Sequence, residues 1–203
     1  MPLIRKPATQ PEPAAPADWH ASAAQLQSGT PDERWSAARA LADAPQSAAA
    51  LSEALATQTD PRLREAIFTS LARHNSALAF DVLLHHLRSD DASLRSGALS
   101  AMALMPDIIT QRLDALLHDE DPDIRIAACD LARHIPAAAT LTAILATEPL
   151  VNVCAAAIDV LADIGTPAEC AALTACSKRF PNEVFLNFSI KTAMERITSR
   201  NGA

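Results

Sequence analysis

Apolar positions recur along this chain at helical spacing, and the spacing itself repeats. Arg34, Arg64, Arg95 and Arg125 stand 30, 31 and 30 residues apart. A small or apolar residue follows each at the third position (Ala37, Ile67, Ala98, Ala128). Another follows at the seventh (Leu41, Leu71, Met102, Ala132). Those offsets fall on one helix face. A fifth copy begins near Pro149. There Val153-Cys154 fills the slot of a Leu-Arg pair, and Ala157 and Leu161 follow at the same offsets.

Each copy opens on a helix-start signal. Asp60-Pro61-Arg62-Leu63-Arg64 returns as Asp91-Ala92-Ser93-Leu94-Arg95 and as Asp121-Pro122-Asp123-Ile124-Arg125, with a weaker version at Thr30-Pro31-Asp32-Glu33-Arg34. Asp and Thr suit the N-cap, and proline suits the first turn. Each copy then breaks, at Asp43-Ala44-Pro45, His74-Asn75-Ser76, Met105-Pro106-Asp107, His134-Ile135-Pro136 and Gly165-Thr166-Pro167. The breaks predict second helices over 46–57, 76–88, 107–118, 137–147 and 167–178. A pair of short amphipathic helices cannot bury its apolar faces alone, so the pairs must stack into a solenoid.

The ends differ. Residues 1–17 hold Pro2, Pro7, Pro11, Pro13 and Pro16 and read as a disordered or polyproline-II tail. The repeat domain is expected over 18–200, with Asp18 capping a first helix that runs to about residue 26. A final helix is expected over 182–197, close to Phe180, Phe185 and Phe188. Terminal units of a stack are atypical because they cap it.

Composition sharpens the helical reading. Of 203 residues, 44 are alanine, only 4 are glycine and none is tyrosine. Alanine is the best helix former, and few glycines leave little for turns and strands. The net charge is −7 with no Lys/Arg run, which argues against a nucleic-acid partner. No apolar run reaches the ~18 residues of a membrane span, so no membrane partner is expected. Arg5 and Lys6 precede no apolar stretch, so the N-terminus does not read as a secretory signal. Cys129, Cys154, Cys170 and Cys176 lie in apolar helical contexts without a CxxC pair. They read as free core thiols in a reducing, cytoplasmic setting.

The string D-P-x-[LI]-R-x-x-[AI], repeated at about thirty residues with a second helix after each turn, resembles HEAT repeats. It resembles in particular the short HEAT-like type known from phycobilin lyases, and the resemblance covers about residues 30–180. It implies an all-α, right-handed α-solenoid of about five helix–turn–helix units with capping helices. HEAT-like arrays are mostly non-catalytic protein scaffolds, which implies an adaptor that holds a segment of another protein on its concave face. The alternative implied by the same resemblance is a phycobilin lyase-like handler of a bilin or cofactor. The alanine-rich composition fits a GC-rich bacterial genome and disfavours that alternative.

The candidate residues follow from the repeat. Asp60, Arg64, Asp91, Arg95, Asp121 and Arg125 form a polar ladder, expected to pair Asp with Arg at the junctions and so set the repeat spacing. In HEAT arrays the second helices line the concave side. There the candidate partner contacts are Asp81, His85, Arg88, Gln111, Arg112, His118 and Thr142, ending on the uncharged stretch 137–147. An apolar groove with a charged rim is one way to hold an amphipathic helix. No catalytic residue, metal ligand set or cofactor is expected. The six histidines are not spaced i, i+3 or i, i+4 with one another. The chain also has no His-Glu dipeptide of the kind the di-iron HEAT hydroxylase uses, no G-x-S-x-G and no glycine-rich phosphate loop. Two further contacts are candidates: Pro2-Leu3-Ile4-Arg5-Lys6-Pro7 as a short linear motif, with a plain flexible leader as the alternative, and self-association through Phe180, Phe185 and Phe188 if the last helix leaves them uncovered.

Overall fold

The computed structural model describes residues 19–201 of the protein. The 1–17 segment, its linear motif and the expected cap Asp18 lie outside the described residues. Among those described there are twelve α-helices and no strand. The first helices of the five units are α2 (Pro31–Ala40), α4 (Pro61–His74), α6 (Ala92–Met102), α8 (Pro122–Ala132) and α10 (Val151–Ile164). Their second helices are α3 (Ala48–Thr57), α5 (Ala77–Leu87), α7 (Pro106–Leu117), α9 (Ala138–Thr147) and α11 (Cys170–Arg179). Helix α1 (Trp19–Ser28) packs on α2 at one end, and α12 (Val184–Asn201) packs on α10 and α11 at the other. The chain is an α-solenoid.

The caps act as the residue types require. The carboxylates of Asp60, Asp91 and Asp121 each accept the N–H two positions on, at 3.0, 2.8 and 2.9 Å. Thr30 and Glu33 form a reciprocal capping box at the start of α2. Thr166 and Glu169 form another at a 3-10 turn, Pro167–Glu169, that precedes α11. Ser76 caps α5 through the N–H of Ala79. A second 3-10 turn, Pro45–Ser47, delays the start of α3 to residue 48. Helix α4 ends on Asn75 in the left-handed region, at φ 42°, a conformation asparagine tolerates better than most residues.

The repeating apolar positions make the core. Ala37, Ile67, Ala98, Ala128 and Ala157, with Leu41, Leu71, Met102, Ala132 and Leu161, are all at most 2% exposed. Each fully buried leucine is worth about 1.5–3 kcal/mol, and each alanine lets two helix backbones approach. First helices stack directly on one another, α2 on α4, α4 on α6 and α8 on α10, with the looser step between α6 and α8. Second helices lean on the following first helix, α5 on α6 and α7 on α8.

Candidate functional site

At three junctions the ladder arginine turns back to a carbonyl six residues earlier. Arg64 Nε donates to Gln58 O at 2.6 Å, Arg95 Nη1 to Ser89 O at 2.8 Å, and Arg125 Nη1 to Asp119 O at 2.8 Å. The residue that owns the carbonyl accepts in turn, through its side chain, the N–H of the cap position. Gln58, Ser89, Asp119 and Glu148 do this for Asp60, Asp91, Asp121 and Leu150. The rung therefore satisfies backbone groups that the end of one helix and the start of the next would otherwise leave open.

Some rungs also reach forward to the next junction. Arg64 pairs with Asp91 at 2.9 Å. The Asp91 carboxyl lies below the usual range chiefly because it accepts the Ser93 N–H, with Arg64 adding to the effect. Arg125 grips the buried Glu148 carboxylate in a fork, at 3.0 and 3.1 Å. Arg95 binds the Ser89 and Asp90 carbonyls. Asp121 is met at 3.7 Å by Arg88, and Asp60 serves as a helix cap. The ladder arginines thus meet backbone carbonyls first, and the carboxylate partners of Arg64 and Arg125 lie one junction on.

The second-helix candidates occupy several environments. Asp81 on α5 and Arg112 on α7 pair with each other across units at 3.5 Å. Arg88 follows α5 and is committed to the junction, binding Asp119 at 2.5 and 3.2 Å and holding that carboxyl below its usual range. His85 and Gln111 are exposed. His118 bonds to the Asp114 carbonyl at 2.8 Å and borders a cleft of about 90 Å³ between α7 and α9. Thr142 is half-buried, and its Oγ1 is buried without a partner. The structure brings Asp81 and Arg112 together and does not gather the seven residues into one pocket.

An opening of about 710 Å³ lies between α11 and α12, lined by Thr174, Ser177, Ile190 and Met194 among others, and three more lie along the first helices. A groove of about 370 Å³ runs between α4 and α6, lined by Phe68, Thr69, Gly97, Ser100, Ala101 and Leu104 among others. Leu104 is 68% exposed at its mouth. A Cβ at Gly97 would lie 2.2 Å from the Phe68 ring, so only glycine lets that ring lie against α6. Thr69 also lines an adjoining opening of about 370 Å³ where Trp35 meets the guanidinium groups of Arg39 and Arg62, whose carbons lie 4.7 and 4.6 Å from the ring centre. Beyond α6 a third opening, of about 510 Å³, crosses to α10 and carries Asp123, Asp130 and Asp159 around Arg133. The row is therefore aromatic at one end, apolar in the middle and mixed in charge at the other, where Arg95 joins Arg133 among the three carboxylates. One sequence signal for it exists: Ser93, Gly97 and Ser100 sit at offsets of four and three on one face of α6, and Leu104 follows four residues on in the turn after it.

The remaining candidates are simpler. His74 is buried and bonds to the Leu41 carbonyl at 2.8 Å. Cys129, Cys154 and Cys176 are buried free thiols, and Cys170 is half-buried. Among the described residues no group of His, Cys, Asp and Glu could hold a metal ion, and no helix is long and apolar enough to cross a membrane. Val184, Phe185 and Phe188 are 78%, 89% and 68% exposed at the start of α12. Phe180 differs from the other two. It packs against the core and carries Arg179 over its ring at 5.0 Å.

No curated protein matches the chain. Two crystal structures of engineered proteins are similar to it, at 19% and 18% identity with TM-scores of 0.40 and 0.41. Each covers 90% of this chain, which spans 97% and 99% of theirs. The complex of CpcE and CpcF of phycocyanin lyase from a Nostoc species is similar at 16% identity and a TM-score of 0.37, covering 97% of this chain and 100% of its own. The family model for HEAT repeats matches residues 22–103, which run from α1 through α6. The same junction chemistry continues past that match to Arg125 and Glu148.

Proposed function

We propose that the protein is a non-catalytic adaptor that holds a segment of another protein along its helical array. The observation that carries this reading is the open apolar groove between α4 and α6, with Leu104 exposed at its mouth and Gly97 giving close access to Phe68. Small and apolar walls flanked by charged residues at the two ends suit an amphipathic segment. The docking face on this reading is the first-helix row. The second-helix residues His85, Gln111, Arg112 and His118 form a separate surface whose main charges, Asp81 and Arg112, already satisfy each other. The four free thiols suit a cytoplasmic protein. The exposed Val184, Phe185 and Phe188 support a second contact, self-association through the start of α12.

The test is affinity capture from the native lysate with wild type, Leu104→Arg and Arg112→Glu in parallel. Loss of a dominant partner with Leu104→Arg alone supports the groove. Loss with Arg112→Glu alone moves the site to the second helices. A visible-absorbing pigment in the purified protein, with no partner captured, would replace the adaptor reading with the bilin-handling one.

A further inference from the structure

The opening across α6, α8 and α10 differs in kind from the groove between α4 and α6. It lies over the looser step between α6 and α8. Its floor is aliphatic: Leu87 and Val160 are buried, and Leu99 and Ile126 are half-buried. At its rim stand three exposed carboxylates, Asp123, Asp130 and Asp159. The two guanidinium groups beside them are engaged. Arg95 donates to the Ser89 and Asp90 carbonyls. Arg133 serves Asp130 at 3.5 Å, Asp159 at 2.8 Å and also Asp163. Among the described residues no cation pairs with Asp123. An occupant that suits this opening carries aliphatic side chains directly beside positive charge.

The chain itself holds such a segment in Leu3-Ile4-Arg5-Lys6. Residues 7–18 lie between it and Trp19, where α1 begins, and include Pro7, Pro11, Pro13 and Pro16. A proline-rich stretch of that length spans about 37 Å when extended, at ~3.1 Å per residue. Helix α1 packs on α2, α2 on α4 and α4 on α6. At about 8–10 Å per packed pair, the seam beyond α6 lies roughly 28–35 Å from α1. The length of chain thus matches the distance to the opening.

We propose that residues 3–6 dock in this opening of their own chain, Leu3 and Ile4 against Leu99 and Ile126, and Arg5 and Lys6 against Asp123 and Asp159. A tether whose length matches its span presents its segment at an effective concentration of about 1 mM. A segment whose free peptide binds at about 100 µM then fills the opening in roughly nine chains of ten. The docked segment bridges α6 and α8 and tightens the seam where the first helices meet least. It goes beyond the adaptor reading, since it needs no outside partner. Where that reading also holds, residues 7–18 cross the groove between α4 and α6, and a partner must displace them.

Two measurements test the docking, and neither uses an outside partner, so its failure is distinct from failure of the adaptor reading. In the first, the full-length chain at low micromolar concentration is treated with a carbodiimide, which joins a lysine amine to a touching carboxylate with loss of water. Lys6, Lys178 and Lys191 are the lysines of the sequence, so the products are few and mass spectrometry maps them. The expected product is an amide from Lys6 to Asp123 or Asp159 within one chain, told from a link between chains by mixing unlabelled and nitrogen-15 protein. In the second, a fluorescent peptide of residues 1–17 is titrated against a chain lacking residues 2–16 and against the full-length chain, and anisotropy is read. Binding to the shortened chain should be about tenfold tighter than to the full-length chain, whose own segment competes. A peptide carrying Arg5→Glu and Lys6→Glu should not bind, and Asp123→Lys in the shortened chain should weaken the natural peptide. Lys6 joined only to other carboxylates or only between chains overturns the proposal. So does a peptide that does not bind up to 1 mM, binds both chains equally or survives charge reversal. The charge-reversed peptide decides the matter even if Asp123→Lys does not fold.

Discussion

Gly97→Ala tests whether the groove between α4 and α6 is a fixed feature of the fold. In most helices this change stabilises, because alanine has about 1 kcal/mol better helix propensity than glycine. Here the new methyl would lie 2.2, 2.6 and 2.8 Å from three atoms of the Phe68 ring. Phe68 is only 7% exposed and packs in the core cluster, so its ring must turn or α4 and α6 must part. Overpacking of that kind costs about 1–3 kcal/mol. The net expectation is a loss of up to about 2 kcal/mol, a fall in Tm of a few degrees at about 2–4 °C per kcal/mol for a domain of this size.

The sharper test is the same change in a Phe68→Ala background. Phe68→Ala by itself costs about 3–5 kcal/mol. With the ring gone, Gly97→Ala meets open space and should raise stability by about the propensity gain. The sign of one substitution thus inverts with its neighbour, a coupling that a double-mutant cycle reads directly. Urea unfolding followed by far-ultraviolet circular dichroism supplies the four values. If Gly97→Ala stabilises in both backgrounds, the ring does not occupy the place described and the groove is not held open by glycine.

Three further outcomes are expected. Arg125→Ala strands the Glu148 carboxylate, which is 4% exposed, and should cost about 3–5 kcal/mol. Arg73→Ala, which loses only an exposed pair with Asp43, should cost under about 1 kcal/mol; equal losses in urea unfolding would refute the rung assignment. Burial, with the neighbouring His85, lowers the pKa of His86 from 6.5, while its Nε2 lies 3.1 Å from Ser52 Oγ. Below pH 6.5 the unfolded chain takes up a proton that the folded chain refuses. The stabilising contribution is therefore complete above 6.5 and lost as pH falls toward the lower folded value. Tm measured across that window should fall less in His86→Gln than in wild type. Finally, the double change Phe185→Asp and Phe188→Asp should leave helicity unchanged and abolish any self-association seen by sedimentation velocity. Association that persists in the double variant would place the contact elsewhere.

The helices were legible because each is announced by local chemistry. Asp60, Asp91 and Asp121 cap, Pro61, Pro106 and Pro122 sit in the first turn, and the apolar offsets from the arginines select one face. The second helices fall within two or three residues of expectation, and the exceptions are 3-10 turns at Pro45 and Pro167, which periodicity does not separate from α-helix. The rungs were half legible. The sequence shows an arginine per junction, but a guanidinium reaching its own backbone leaves no partner residue to recognise. Only the polar residue two before each cap (Gln58, Ser89, Asp119, Glu148) hints at it. The groove was not legible, because helical periodicity says which face of α4 or α6 is buried and not how far apart the two helices stand. The exposure of Phe185 and Phe188 and the burial of Phe180 depend likewise on how α12 lies across α10 and α11.

The fifth junction, where Cys154 holds the ladder position and Arg179 of α11 donates to the Glu148 carbonyl at 2.9 Å, bears on how such an array can grow. Units two, three and four each carry their own rung, in Arg64, Arg95 and Arg125, and each presents the next unit with a cap to receive it. A duplicated copy of any of them would arrive with its fastening included. Unit five has surrendered that fastening to Arg179, a residue of its own second helix, whose flank is then roofed by α12. Copying unit five into the interior would leave an arginine-less seam on its leading side and a roof with nothing beneath it. The middle units thus carry a fastening that travels with them, whereas that of the fifth depends on its second helix.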